Sequence, residues 1–367
     1  MKIAIVHDYL IDFGGAERVL LSLHEIYPEA PIYVLTYRPK LLGNFKKNFK
    51  NIDVRQSQFG KLPFAEKLIS PFRFLLPLIW QSFNLKSYDL IISSSSWAVT
   101  KGFEKKKKAV EICYCHTPPR YLYGYDTSRK FKGFLGSLVA IYSTIINHFM
   151  RIYDFKQAQK VNFFIANSKE VALRIEKFYR RNSKVIYPPV EIQEEFKEGG
   201  KEYYLTGGRM TYAKNFDLII KTFNKLKLPL KIYGDGILRK DLEKIANKNI
   251  EFVGKIADSE LIKLYINAKA FVLAQKDEDF GITCVEAQGC GCPVIAYKGG
   301  GYLESVIENK TGVFFDELGV DSLVETIKRF EKTKFDSKEC IKNAKKFNKE
   351  RFREEMLQFI NEKFEKS

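Results

Sequence analysis

Short apolar runs alternate with helix-length amphipathic segments along the whole of this chain, and that alternation restricts its fold more than any other feature. Ile3–Val6, Ile32–Leu35, Leu90–Ser93, Val110–Cys115 and Phe163–Ala166 carry little polar character on either face. Such runs are expected of parallel strands covered by helices on both sides. Between the first two, Val19, Leu20, Leu23, Ile26 and Tyr27 recur at helical spacing, and Asn167-Ser168 caps a further helix through Val171, Ile175 and Phe178. The theme repeats in Tyr203–Thr206, Leu230–Tyr233, Ile250–Val253, Phe271–Ala274 and Val294–Tyr297. The class is therefore α/β, with a doubly wound βαβ pattern present twice. A chain of 367 residues exceeds one ordinary core. Pro188-Pro189 and the polar stretch Glu191–Lys201 supply the hinge, dividing it into domains 1–187 and 188–347. Beyond Lys342 the tail is charged and helical, with Phe347, Phe352, Met356, Phe359 and Ile360 as an apolar stripe.

Several classes are excluded or weakened. No apolar run has the length of a membrane span, and Met1–Val6 lacks the layout of a signal peptide, so a cytoplasmic protein is expected. Cys113-x-Cys115-His116 has no second pair at zinc spacing. The six cysteines are expected as reduced, buried small hydrophobes, with no bound metal. A net charge of +17 calls for anionic partners: a nucleotide, a membrane surface or nucleic acid. No RNA- or DNA-binding motif accompanies it, which sets nucleic acid aside. Lys105–Lys108 is expected as a solvated loop. Two segments, Phe59–Phe83 and Arg129–Tyr153, mix basic with apolar and aromatic residues. They read either as core-facing helices or as amphipathic helices lying on an anionic membrane surface.

In an open α/β sheet, ligands gather beyond the carboxyl ends of the strands. After the first strand, Gly14-Gly15 opens a helix, where backbone N–H groups approach an oxyanion or sugar hydroxyl closely. After the fourth, His116 ends a strand ahead of the stiff Thr117-Pro118-Pro119-Arg120 loop. In the second half, Gly207-Gly208-Arg209 follows a strand and Lys214 lies at a helix start, two cations suited to a diphosphate without a metal. Most informative is Glu278-Asp279-Phe280-Gly281-Ile282-Thr283-Cys284-Val285-Glu286. There a strand leads through Glu278 into a helix beginning near Phe280-Gly281, with Glu286 further inside it. Amides at that helix start suit phosphate, and the two acids suit sugar and ribose hydroxyls.

Glu278-x7-Glu286, with Gly291-Cys292-Pro293-Val294-Ile295-Ala296, Gly299-Gly300 and Thr311-Gly312, resembles glycosyltransferase family four. Gly208-Arg209 with Lys214, Gly234-Asp235-Gly236 and Phe252-Val253-Gly254 fall where that family has its own versions. The resemblance implies the GT-B fold, two Rossmann-like domains facing each other across a cleft. The first would take the acceptor and the second the nucleotide sugar, and the last helix, about 348–367, would pack back on the first domain. It implies a retaining hexosyltransferase in which Glu278 contacts the donor sugar and Glu286 the ribose. Arg209 and Lys214 would hold the diphosphate, assisted by amides of Phe280, Gly281, Ile282 and Thr283. His116 would sit beside the transferred sugar, Gly14 and Gly15 would line the donor and acceptor region, and Ile256 would lie near the base. No metal or other cofactor is implied, although Asp277-Glu278-Asp279 reads Asp-x-Asp. Lys214-Asn215 departs from the Lys-Arg of many relatives.

The N-terminal Gly-Gly-Ala-Glu and the segment Cys115–Leu122 look most like bacterial O-antigen and lipopolysaccharide mannosyltransferases. That implies GDP-mannose as donor and a lipid-linked oligosaccharide as acceptor, at the inner face of the membrane. UDP sugars are served by the same scaffold. A sugar-nucleotide epimerase shares the two-domain fold, but the Glu-x7-Glu context favours transfer.

Overall fold

The computed structural model describes residues 1–126, 133–192 and 199–364, with backbone only for 133–135. The chain forms two compact units. The first comprises Met1–Tyr125, Phe131–Pro189 and Lys349–Ser367; the body of the second is Val190–Asn348. The division thus falls slightly later than the positions read from the sequence.

The first unit is built on seven parallel strands: β1 (Ile3–His7), β2 (Ile32–Val34), β3 (Val54–Gln56), β4 (Leu90–Ser95), β5 (Val110–Cys115), β6 (Phe163–Ala166) and β7 (Ser183–Val185), in the order β3-β2-β1-β4-β5-β6-β7. Because side chains alternate along a strand, Ile5 faces one core, with Val34, Leu20, Leu23 and Ile112. Its neighbours Ala4 and Val6 face another, with Leu35, Ile91, Trp80 and Met150. The first of these cores is completed by Phe352, Met356, Phe359 and Ile360 of the final helix, Lys349–Phe364. Arg351 of that helix donates to the Tyr187 carbonyl at 2.8 Å.

The second unit has six parallel strands: β8 (Tyr203–Arg209), β9 (Leu230–Asp235), β10 (Ile250–Gly254), β11 (Ala268–Leu273), β12 (Val294–Tyr297) and β13 (Gly312–Phe315), in the order β10-β9-β8-β11-β12-β13. Tyr204, Ile232, Val272 and Ile295 face one core with Phe223 and Ile327 of flanking helices. Leu205, Tyr233, Phe271 and Ala296 face the other. In each unit the strand order reverses beside the first strand, between β1 and β4 and between β8 and β11, where doubly wound sheets open a crevice for ligands.

Three readings of the sequence need correction or completion. Phe59–Phe83 is not one amphipathic helix. Pro63 and Pro71 interrupt it, leaving the short helices Gln58–Lys61, Ala65–Leu68 and Leu76–Gln81, the last with Pro77 in its first turn. Its Arg73 is buried, donating to Asn147 Oδ1 and the Ser70 carbonyl, each at 2.9 Å, so it presents no charge to a surface. Within Arg129–Tyr153, Arg129, Lys130 and Lys132 and the side chains of Phe134 and Leu135 lie outside the described residues. The rest belongs to a long helix, Gly133–Lys160, whose Leu138, Ile141, Ile145, Phe149 and Ile152 are exposed. No described helix is long and apolar enough to cross a membrane.

All six cysteines are buried, and none is in a disulfide. In the lysine run, Lys106 pairs with Asp89, Lys105 donates to the Lys160 carbonyl at 2.8 Å, and Lys107 and Lys108 are exposed.

Candidate active site

In the second unit the ends of β8 and β9 approach unusually closely. Gly208 has φ +116° and Gly234 φ +102°, and a Cβ on Gly234 would stand 2.0 Å from the Gly208 carbonyl oxygen. Only glycine satisfies both the left-handed backbone and the contact. Arg209 follows at the exposed end of β8. The chain then makes a 3-10 turn, Tyr212–Lys214, and enters the helix Phe216–Leu226 through Asn215, at φ 51°. Asn215 Nδ2 donates to the Ala274 carbonyl at 2.8 Å, tying this helix start to the loop after β11.

That tie brings Lys214 to Glu278. Lys214 Nζ lies 3.0 Å from Glu278 Oε2, with the side chains 28% and 13% exposed. The Tyr302 hydroxyl donates to the same carboxylate oxygen at 3.2 Å. Behind it, the Gly301 N–H donates to the Glu278 carbonyl at 2.9 Å. A Cβ on Gly300 (φ +55°) would come within 2.4 Å of that carbonyl oxygen. The glycines after β12 therefore clamp the backbone that carries Glu278.

Gly281, at φ +86°, caps the helix Ile282–Gly289, whose first N–H groups have no carbonyl within the helix to receive them. The Phe280 side chain is buried against Phe347, at 5.2 Å between ring centroids, so only its backbone is available to a ligand. Glu286 is half-buried on the same helix; burial first, then Tyr233, bonded to it at 2.8 Å, and then Glu286 hold the Tyr265 hydroxyl above its ordinary pKa. Ile256 packs partly buried against the same aromatic cluster. Lys214, Glu278 and the start of Ile282–Gly289 are thus drawn together at the β8–β11 crevice, while Ile256 lies beyond β10.

In the first unit, Gly14 is the N-cap of the helix Gly15–Ile26. Its N–H donates to Glu17 Oε2 at 2.8 Å. His116 follows β5 and is 7% exposed. Its Nε2 is 2.8 Å from Ser94 Oγ, and its ring lies 5.3 Å from that of Tyr114. Sequence reasoning did not single out His7, Glu17 or Ser94, which are buried around it. Two signals were present: an acid three residues after Gly14, as in a capping box, and hydroxyls at Ser93–Ser95 ending an otherwise apolar strand.

Two parallel sheets of this strand order, with a carboxylate, a lysine and a helix start at the crevice of the second, define an α/β protein of the GT-B kind. More particularly, residues 189–347, nearly the whole of the second unit, match the family described as Glycosyl transferases group 1. An uncharacterised glycosyltransferase of Methanocaldococcus jannaschii is 28% identical over 202 residues, 54% of this chain and 58% of the relative. A GDP-mannose-dependent phosphatidylinositol monomannoside mannosyltransferase of Mycolicibacterium smegmatis is 26% identical over 153 residues, covering 37% and 40%. The chain thus spans well under two thirds of these relatives. Among solved structures, Anabaena HepE in complex with UDP and glucose superposes with TM-score 0.69 at 17% identity, over 99% of this chain and 100% of that one. Sucrose-phosphate synthase of Thermosynechococcus elongatus gives 0.71 at 14%, over 100% of both. These likenesses establish the fold.

Proposed function

We propose that the protein is a retaining hexosyltransferase that takes its sugar from a nucleoside diphosphate donor, with GDP-mannose as that donor. The observation that carries the reading is the Lys214–Glu278 pair at the β8–β11 crevice, beside Arg209 and the start of Ile282–Gly289. In this reading Arg209, Lys214 and the helix N-terminus hold the diphosphate, Glu278 takes donor-sugar hydroxyls and Glu286 the ribose. The acceptor hydroxyl attacks the anomeric carbon from the face the diphosphate leaves. The bond from that carbon to the diphosphate oxygen breaks, and the acceptor proton passes to the departing diphosphate. The cations and the helix start stabilise the charge developing there, so Glu278 orients the sugar and forms no covalent bond with it. Transfer proceeds without a divalent metal.

The acceptor proposed is a lipid-linked oligosaccharide. Supporting it are exposed apolar side chains on the helix Gly133–Lys160, where the single acid, Asp154, is buried, together with Leu62, Phe64 and Leu78 beside the exposed Lys61 and Lys67. A UDP-sugar donor is the second reading, since HepE was solved with UDP.

A thermal-shift panel of GDP, UDP, ADP and their sugars tests the donor. A ligand at about 100 times its Kd adds about 2.7 kcal/mol to stability, and GDP compounds should act more strongly than the rest. Stabilisation by none of them would remove the reading. Nucleoside diphosphate should be released only when acceptor is present, which separates transfer from epimerisation. Release should persist in excess EDTA; loss restored by Mg²⁺ or Mn²⁺ would bring Asp277 and Asp279 forward as ligands.

A further inference from the structure

The long helix of the first unit, Gly133–Lys160, commits one side to its core and leaves the other exposed. Met150 and Asp154 are 3% and 0% exposed, whereas Leu138, Ile141, Ile145, Phe149 and Ile152 are 49%, 61%, 53%, 64% and 44% exposed. At about 100° per residue these five lie within about 40° of Ile145, so they form one stripe, about 21 Å long at about 1.5 Å per residue. The exposed Lys156, one turn beyond Ile152, continues it.

A neighbouring segment widens the stripe. Arg73 Nε donates to Asn147 Oδ1 at 2.9 Å, and its guanidinium carbon lies 5.2 Å from the centroid of the Tyr142 ring. The Tyr142 hydroxyl in turn donates to the Pro71 carbonyl. These contacts fix residues 71–75 against the middle of the long helix. Phe72 and Phe74, on either side of the buried Arg73, are 42% and 43% exposed, and Leu78 follows at 65%. Contiguous apolar surface of this kind on a folded protein marks an interaction site.

The charge around this face has one sign. Within residues 136–160 the single acid, Asp154, is buried against Lys101, while Arg151, Lys156 and Lys160 are exposed. Within residues 58–84 the single acid, Glu66, is paired with Arg38 at 2.9 Å, while Lys61 and Lys67 are exposed. A second copy laid on the stripe would bring these cations together in a chain that already carries +17. Anionic headgroups would neutralise them, and acyl chains would take the apolar side chains. We propose that this face docks on an anionic lipid bilayer, the long helix lying in the plane of the interface. Its stripe enters the upper acyl region, and Lys156, Lys61 and Lys67 remain among the headgroups. The helix does not cross the bilayer, because its opposite side is packed into the core and no described helix is long and apolar enough to span. Docking of this kind goes beyond the function proposed above and requires neither donor nor acceptor.

Sedimentation of the whole chain with vesicles of phosphatidylcholine and phosphatidylglycerol in equal parts tests the proposal. The parent should be carried down at low salt. Ile145→Glu combined with Phe149→Glu should lower the partition coefficient at least about tenfold, with GDP and UDP affinity within about twofold of the parent. A fluorescent thiol probe locates the helix, since the native cysteines are buried and Ile145→Cys and Thr144→Cys can each be labelled selectively. On adding vesicles the label at 145 should shift to an apolar emission, and the label at 144, about 100° away, should change far less. A parent that stays in solution overturns the proposal without any variant. So does a folded double variant that binds as the parent does, or a label at 145 that remains in water while the protein is carried down. A lipid-free dimer that the double variant makes monomeric also overturns it, a second copy then covering the stripe. Nucleotide binding without sedimentation would overturn the surface and leave the donor reading standing; sedimentation without nucleotide binding would do the reverse.

Discussion

Replacing Glu278 by glutamine should have effects of opposite sign on binding and on turnover. Lys214 is held by Glu278 at 3.0 Å. The bare attraction at that distance, with an effective dielectric constant near 20, is about 5.5 kcal/mol. Most of it is offset by the water both groups give up, and measured partly exposed pairs are worth up to about 1 kcal/mol. In the proposed function a diphosphate draws Lys214 from this partner and comes to rest near its negative charge. Glu278→Gln removes both obstacles, so GDP or UDP alone should bind about fivefold more tightly, equivalent to about 1 kcal/mol. Turnover should fall at least about a hundredfold, a loss of about 2.7 kcal/mol in transition-state stabilisation, because the sugar loses its carboxylate. Lys214→Ala should instead weaken the diphosphate by about 1.5–3 kcal/mol, the range for a hydrogen bond to a charged group. Calorimetry on the two single variants and the double variant closes the cycle and isolates the coupling. Weaker nucleotide binding by folded Glu278→Gln would refute the competition, and unchanged binding by Lys214→Ala would move the phosphate site elsewhere.

Asp154→Ala strands the wholly buried Lys101 ammonium and should destabilise the first unit by about 3–5 kcal/mol in chemical denaturation; a smaller loss than about 1 kcal/mol would mean water reaches the lysine. Since Lys101 is held above its ordinary 10.5, burial opposing and Asp154 prevailing, its contribution is complete below that pH and is lost as pH rises through the folded value. Met356→Ala opens a void in the core shared by β1 and the last helix, and should cost about 2–5 kcal/mol, read from the same unfolding curves. Lys61→Glu with Lys67→Glu should reduce sedimentation with anionic liposomes at low salt, each charge contributing on the order of 1 kcal/mol, while leaving donor affinity unchanged. Equal binding to neutral vesicles would remove the electrostatic argument. Arg73 is left out of that test because it is buried.

Most strands were legible because a parallel strand covered on both faces must be apolar throughout, as Ala4–Val6 and Phe271–Leu273 are. Val54–Gln56 and Ser183–Val185 were not, for they are three-residue edge strands with exposed or half-exposed side chains and no periodicity to read. Gly312–Phe315 is fully buried but opens on a glycine that reads as turn rather than strand. Glu278, Arg209 and Lys214 could be named from strand ends and spacing. Their pairing could not, because Lys214 and Glu278 are 64 residues apart and meet only through the adjacency of β8 and β11. The gathering of Glu17, His7 and Ser94 around His116 was hidden for the same reason. It depends on β1, β4 and β5 being neighbours, and nothing local to His7 or Ser94 announces a partner 87 positions away.

The last helix has a consequence for the order in which the protein is made. Its Phe352, Met356, Phe359 and Ile360 finish a core whose other walls are synthesised first, from Ile5 to Ile186. At about 5–20 residues per second, ribosomes take on the order of ten to thirty seconds to add the intervening stretch, Val190–Asn348. For that interval the first unit waits with part of one apolar side of its sheet uncovered, while the body of the second, Val190–Asn348, is free to fold. The N-terminal half is thus the last to be completed, and a nascent chain halted before Lys349 would expose the surface that chaperones recognise.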